Sequence, residues 1–257
     1  GGHYEMNPKN MITDKQKNQE TASSFFNILF AESLKQDCGE ISIEFPNDWG
    51  AMNQTFPSNV SNAVNTAYQL CQQKSDVYVG VNTRVGRASK KENVHWLASF
   101  HAEIDYGHAG HKKKPEYQTY YDALAAIKAF EIPPTLVIHS GGGFHCYWTL
   151  NAPANVSEIG LKPLENVNRA ILTKIKADGG THNINRILRV PGTFNFKIPD
   201  NPRPVTVIFD SGPKYDLNTF TPLMNFQQKP RIKKTSVSKA SIQDSSNWDK
   251  KISSLPV

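Results

Sequence analysis

Residues 136–150 constrain the fold more than any other stretch. Leu136-Val137-Ile138 reads as strand. Ser140 and three consecutive glycines follow (Gly141, Gly142, Gly143), and Phe144-His145-Cys146-Tyr147-Trp148 reads as strand again. Two β-forming runs this close pair most simply as an antiparallel hairpin. Three glycines are a weak way to build a turn, but without Cβ atoms their N–H groups can approach an anion. Ser140 adds a hydroxyl. Strand alternation puts His145 on one face with Tyr147 and Thr149, and Phe144, Cys146 and Trp148 on the other. Two readings stand open: a glycine turn beside a hydrogen-bonded histidine, or a phosphate cradle. A Walker A loop is excluded, because no Gly-Lys-Ser/Thr follows.

The rest of the chain supplies helices and further strands. Phe25, Phe26, Leu29, Phe30 and Leu34 form one apolar stripe, predicting a helix over 21–34 after a loose polar start at 1–20, of which 1–6 (GGHYEM) is set aside as a tag remnant. A helix is expected over 58–73 with Ser58 as N-cap, and others over 116–130 and 157–176. Strands are expected at 40–45, 76–82, 94–107, 135–140, 144–150, 187–190 and 204–210. The folded unit then spans 21–225, and the Ser/Lys-rich 226–257 reads as a basic tail or linker. This mixture predicts an α+β fold with a mixed or antiparallel sheet.

The chain has 257 residues and three widely spaced cysteines, Cys38, Cys71 and Cys146, with no CxxC pair. That argues for a reducing compartment, here the cytoplasm, and against a disulfide framework or a cysteine-rich zinc site. No apolar run approaches the roughly 18 residues of a membrane helix, so no membrane partner is expected. The net charge of +6 suits a polyanionic partner.

Three stretches carry candidate chemistry. In "FHAEIDYG", His101, Glu103 and Asp105 share one strand face, which spaces the two carboxylates roughly 6–7 Å apart. Such a pair can hold Mg²⁺ or Mn²⁺, or be two ordinary surface acids. The glycine stretch offers Ser140, Gly142, Gly143 and His145. "NRILRVPGTFNFK" offers Arg186, Arg189, Asn195 and Lys197 around a Pro-Gly turn, fit for a triphosphate or for a plain basic surface. Asp178 is the nearest further carboxylate. Two basic loops, one with Arg84, Arg87, Lys90 and Lys91 and one with Lys112, Lys113 and Lys114, are candidate tracks for a nucleic-acid backbone.

In this order the segments resemble the archaeo-eukaryotic primase superfamily, most closely its RepB-like branch of plasmid, phage and CRISPR-associated primase-polymerases. The likeness runs from about Phe25 to Asp210 and includes "VYVGVNTR". It implies an RRM-like sheet with an N-terminal α/β unit. It implies a DNA primase or polymerase that joins nucleoside triphosphates on a single-stranded DNA template or primer with two Mg²⁺ or Mn²⁺ ions. Glu103, Asp105 and Asp178 would be the catalytic metal ligands. Ser140, Gly142, Gly143, His145, Arg189, Asn195, Lys197 and Arg84 would hold the nucleotide's phosphates. A helicase or other C-terminal module would follow in a longer parent. Two positions depart from the family: the first acid is Glu where Asp is usual, and a position often acidic in relatives is Asn183.

Two rivals remain open. One is a nucleic-acid-binding module or replication initiator with impaired catalysis. The other is a nicking initiator, for which the His-hydrophobic-His pair is missing, since His139 and His145 lie six apart. A zinc site from His101, His108 and His111 lacks a fourth ligand.

Overall fold

The computed structural model describes residues 14–107 and 115–227. Helix α1 (Lys15–Lys35) starts six residues before the expected Thr21, because Asp14 caps it: its Oδ1 accepts the Lys17 N–H at 3.2 Å. Residues 15–20 are therefore helical, while 1–13 lie outside the described residues, as does the 228–257 part of the expected tail. The stripe Phe25, Phe26, Leu29 and Phe30 is buried as the periodicity predicts.

Strand β1 (Ile43–Pro46) pairs with β2 (Met52–Thr55), an exposed polar edge strand that no alternation pattern announces. Helix α2 (Val60–Gln72) is capped by Asn59 rather than Ser58, Asn59 Oδ1 accepting the Asn62 N–H at 2.8 Å. Then follow β3 (Tyr78–Gly80), β4 (Trp96–Asp105), α3 (Tyr120–Lys128), β5 (Leu136–His139) and β6 (Gly143–Asn155). The helix expected over 157–176 is two, α4 (Val156–Ile159) and α5 (Leu161–Lys174), broken at Gly160 with φ +95°. The remaining strands and α-helix are β7 (Ile187–Arg189), β8 (Phe194–Asn195), β9 (Arg203–Pro204), β10 (Thr206–Phe209) and α6 (Thr221–Met224).

These build an α+β fold on two four-stranded sheets, β2-β1-β3-β7 and β10-β5-β6-β4, plus the small β8-β9 ribbon, with every strand pair antiparallel. One face of the second sheet (Leu136, Ile138, Tyr147) packs with α1, α2 and the first sheet. The Phe25 ring stands edge-on to Tyr147 at 5.7 Å, a geometry worth about 0.5–1.5 kcal/mol beyond its buried area. The opposite face (Phe100, Ala102, Ile104, Phe144, Cys146, Trp148) packs on α3 and α5. All three cysteines are free and buried. Among the described residues no helix is long and apolar enough to cross a membrane.

Candidate functional site

The β4–β6 register sets the site. Glu103 lies directly opposite His145, and Asp105 opposite Gly143. Glu103 and Asp105 share one face of β4, as the alternation predicts, and the pairing with β6 brings His145 to that same face, which turns toward the first sheet. Both carboxylates are half-buried. Gly143 is dictated by this pairing: a Cβ there would sit 2.6 Å from the Ile104 carbonyl and 2.7 Å from Asp105 Oδ1. Close strand approach, rather than an anion, requires this glycine. Gly141 has φ +85° and supplies the turn.

The turn is closed from inside. Ser140 donates both its N–H (2.8 Å) and its hydroxyl (3.1 Å) to the Gly143 carbonyl, so the hydroxyl hydrogen is engaged within the loop. Asn195, buried on β8, donates from Nδ2 to the Ser140 carbonyl at 2.9 Å and accepts the Lys197 N–H at 3.1 Å. It braces the loop from the next ribbon and leaves the Lys197 side chain exposed beside it.

His145 is buried, yet among the described residues its Nδ1 has no hydrogen-bond partner. Burial first, then the charges of Arg189 and Arg186, hold its pKa well below the ordinary value, so the imidazole is neutral at pH 7. A buried polar atom without a partner is rare enough to demand an explanation. Ser33 Oγ, Arg84 Nε and the hydroxyls of Tyr147 and Thr149 also lack partners among the described residues, but Tyr147 sits in the apolar core under α1. His145 faces a half-exposed carboxylate. Arg186 reaches Glu103 with Nε (3.2 Å) and Nη2 (2.6 Å), both on Oε2. The sequence marked Arg186 only as one of a basic pair, without assigning it to the carboxylates.

Several expected residues are engaged by partners inside the protein. Arg84 is fully buried: Nη1 donates to the Asn82 carbonyl at 2.5 Å and Nη2 to the Asn185 carbonyl at 2.9 Å. Burial pushes its pKa down to about 10. Its guanidinium packs where a Gly80 Cβ would stand, 2.7 Å from Nη2. It is an internal strut and not a phosphate contact. Its neighbour Asn82, also fully buried, accepts the Ala98 and Ser99 N–H groups at 2.7 and 3.1 Å and donates to the Ile184 carbonyl at 3.0 Å. Together they clasp β4, which carries Glu103, to the segment that carries Arg186.

Arg189 is held by Asp76 (3.3 Å), by the Tyr78 hydroxyl (2.9 Å) and by the Tyr78 ring at 5.0 Å. Arg87 pairs with Glu40 and Lys91 with the buried Glu165 at 2.7 Å, whereas Lys90 is exposed. Lys112, Lys113 and Lys114 lie outside the described residues, as do His108 and His111. His101 is buried, with Nε2 on the Thr181 carbonyl at 2.9 Å.

Asp178 is exposed at the start of a single 3-10 turn (Gly179–Thr181), where its Oδ1 accepts the Gly180 N–H at 3.1 Å. Among the described residues no three His, Cys, Asp or Glu side chains converge as a metal site. Tyr106 turns to the opposite face, as alternation predicts, with its hydroxyl on His139 Nε2 at 2.7 Å.

No protein-family model matches the chain. A replication protein of Clostridium perfringens is 30% identical over 132 residues, which cover 50% of this chain and 31% of that protein. Among solved structures, the AEP domain of the cyanophage S-2L primase-polymerase aligns with a TM-score of 0.53 and 15% identity, over 77% of this chain and 96% of that one. The primase RepB' aligns at 0.56 and 11% identity, over 92% and 67%. The catalytic domain of RepB' in complex with initiator DNA aligns at 0.53 and 13%, over 80% and 91%. At these identities the likeness establishes the fold.

Proposed function

For a chain with the fold of an archaeo-eukaryotic primase catalytic domain, we propose a template-directed nucleotidyltransferase that makes primers or extends DNA from nucleoside triphosphates, acting in replication of a mobile element. One observation carries the reading. On the face where Glu103 and Asp105 stand side by side, the buried imidazole directly opposite Glu103 has a nitrogen without a partner. A nucleotide phosphate supplies what that nitrogen lacks.

The donor set fits hard divalent cations. Two carboxylates on one strand face offer oxygen ligands that suit Mg²⁺ or Mn²⁺, which complete their shells with water and substrate phosphate. Glu103 and Asp105 would hold the metal; Asp178, capping its own turn, is left out. When bound, the metal supplies Lewis-acid stabilisation of the triphosphate and of the attacking 3′-hydroxyl.

The chain's own residues do the rest. Arg186 fixes the Glu103 carboxylate. His145 donates as a neutral imidazole to a phosphate oxygen, so it needs no proton uptake at pH 7. Ser140, Gly141 and Asn195 keep the loop rigid, so alignment is set before the nucleotide arrives. Lys197 reaches the phosphates from the exposed side, and Lys90 tracks the strand.

The test is Asp105→Ala, assayed for primer synthesis on single-stranded DNA with Mn²⁺ and labelled nucleotides. Synthesis should vanish while the thermal midpoint stays near that of the wild type; undiminished synthesis would sink the proposal. A second reading, a strand-binding module without catalysis, is favoured by the Arg186 grip on Glu103. It predicts a shifted oligonucleotide band from the wild type and no elongated product.

A further inference from the structure

The sequence from 202 to 204, Pro-Arg-Pro, belongs to no motif noted above. Prolines on both sides favour an extended backbone, and Arg203 lies on β9 opposite Asn195 of β8. That pairing carries it to the glycine loop. A Cβ on Gly141 would meet the Arg203 Cβ at 2.9 Å and the Asn195 Cβ at 3.3 Å. Arg203 therefore sits directly against the turn braced by Asn195.

The described residues contain six arginines: 84, 87, 169, 186, 189 and 203. Five have side-chain partners. Arg84 bonds main-chain carbonyls, Arg87 pairs with Glu40, Arg169 with Glu165, Arg186 with Glu103 and Arg189 with Asp76. For the half-buried Arg203 guanidinium, no hydrogen bond or ion pair occurs among the described residues. Its nearby charge is unfavourable to a second cation: after burial, it is what lowers the His139 pKa. The His139 ring is neutral and tied to Tyr106. A positive fork with five donors and no counter-charge, set against a rigid loop, is built for an anion.

We propose that Arg203 forms a phosphate subsite on the outer flank of the glycine loop. Resting on the polymerase reading above, it binds either the terminal phosphates of the incoming nucleotide or a phosphodiester of the nucleic-acid strand.

The test titrates the full chain, wild type and Arg203→Ala, with inorganic tripolyphosphate, with Mg²⁺·dATP and with a labelled oligothymidylate. Removing a charge-assisted contact should weaken one class of ligand by about tenfold or more. Arg203→Lys should recover part of the loss, because the ammonium keeps the charge but not the fork. Loss with tripolyphosphate and dATP assigns the subsite to the nucleotide; loss with oligothymidylate alone assigns it to the strand. All three affinities within about twofold of wild type, in a variant with the wild-type melting temperature, overturn the proposal. If Arg203→Ala does not fold, Arg203→Gln replaces it and is read the same way. Tripolyphosphate binding needs neither template nor chemistry, so this result separates from a failure of primer synthesis by the wild type.

Discussion

The β3–β4 connection and the β5–β6 connection are both Gly/Ser-containing loops with cations in or beside them. In the first, Arg84 (its buried Nε excepted), Arg87 and Lys91 have partners inside the protein, and among the described residues Lys90 alone faces solvent without one. In the second, the cation set against the loop and the imidazole just after it have open donor positions, Arg203 and His145 Nδ1. The difference teaches that counting basic residues does not locate an anion site. Counting their partners does, because a guanidinium already bonded to carbonyls must break those bonds before it can bind phosphate. Substitutions in the first connection should therefore move stability, and substitutions in the second should move binding.

The largest effect should come from Arg84→Ala. It removes the struts to Asn82 and Asn185, leaves buried carbonyls unpaired and opens a cavity over Gly80. A loss of about 3–5 kcal/mol is expected, measured by urea denaturation. Affinity for tripolyphosphate should stay unchanged in whatever fraction remains folded. A stability loss under about 1 kcal/mol would mean that the clasp is not structural and that Arg84 belongs with the binding residues after all.

His101 gives the next effect. Burial holds its pKa at about 4, against an ordinary 6.5. The folded state keeps it neutral while the unfolded chain takes up a proton below 6.5. The stability from this residue is thus full above pH 6.5 and is lost as pH falls toward 4, by about 3 kcal/mol. His101→Gln should flatten that part of the stability–pH curve. An unchanged curve would show that the β4 tether to Thr181 does not depend on a neutral imidazole.

Much of this was legible in the sequence. Alternation in "FHAEIDYG" put Glu103 and Asp105 on one strand face, and alternation in "FHCYW" put His145 with Tyr147, since each strand has only two faces; that the two sets share a face comes from the β4–β6 pairing. The stripe of α1 was equally clear. What was hidden depends on long-range pairing. Arg84 looks exposed in a Gly/Ser loop; the available clue was Gly80, four residues before it, making room for a large neighbour. Arg203 reaches the glycine loop only through the β8–β9 ribbon, which no local pattern predicts. Asp178, followed by Gly-Gly, carried a signal for a capping aspartate, and the structure uses it so. The polar β2 has no period to read.

Gly143→Ala should have a middling effect. Its new methyl would collide with main chain at Ile104 and with Asp105 Oδ1, costing about 1–3 kcal/mol and displacing a carboxylate. Primer synthesis should fall more than oligonucleotide affinity, which separates positioning of the carboxylates from strand contact. Equal falls in both would place the glycine in the strand path instead.

The smallest effects sharpen the contrast within the first connection itself. Arg87 is exposed and paired with Glu40, and such pairs contribute under about 1 kcal/mol. Arg87→Ala should change stability by less than that and leave the salt dependence of oligothymidylate binding as it was. Lys90→Ala should leave stability alone but lower the slope of log K against log salt by about 0.7, the single-strand value for one phosphate contact. If Arg87→Ala lowers the slope as much as Lys90→Ala does, Glu40 releases Arg87 to the strand. A partner in the free protein would then not mark a cation as structural, and Arg203, chosen because it has none among the described residues, would rest on its place beside Gly141 alone.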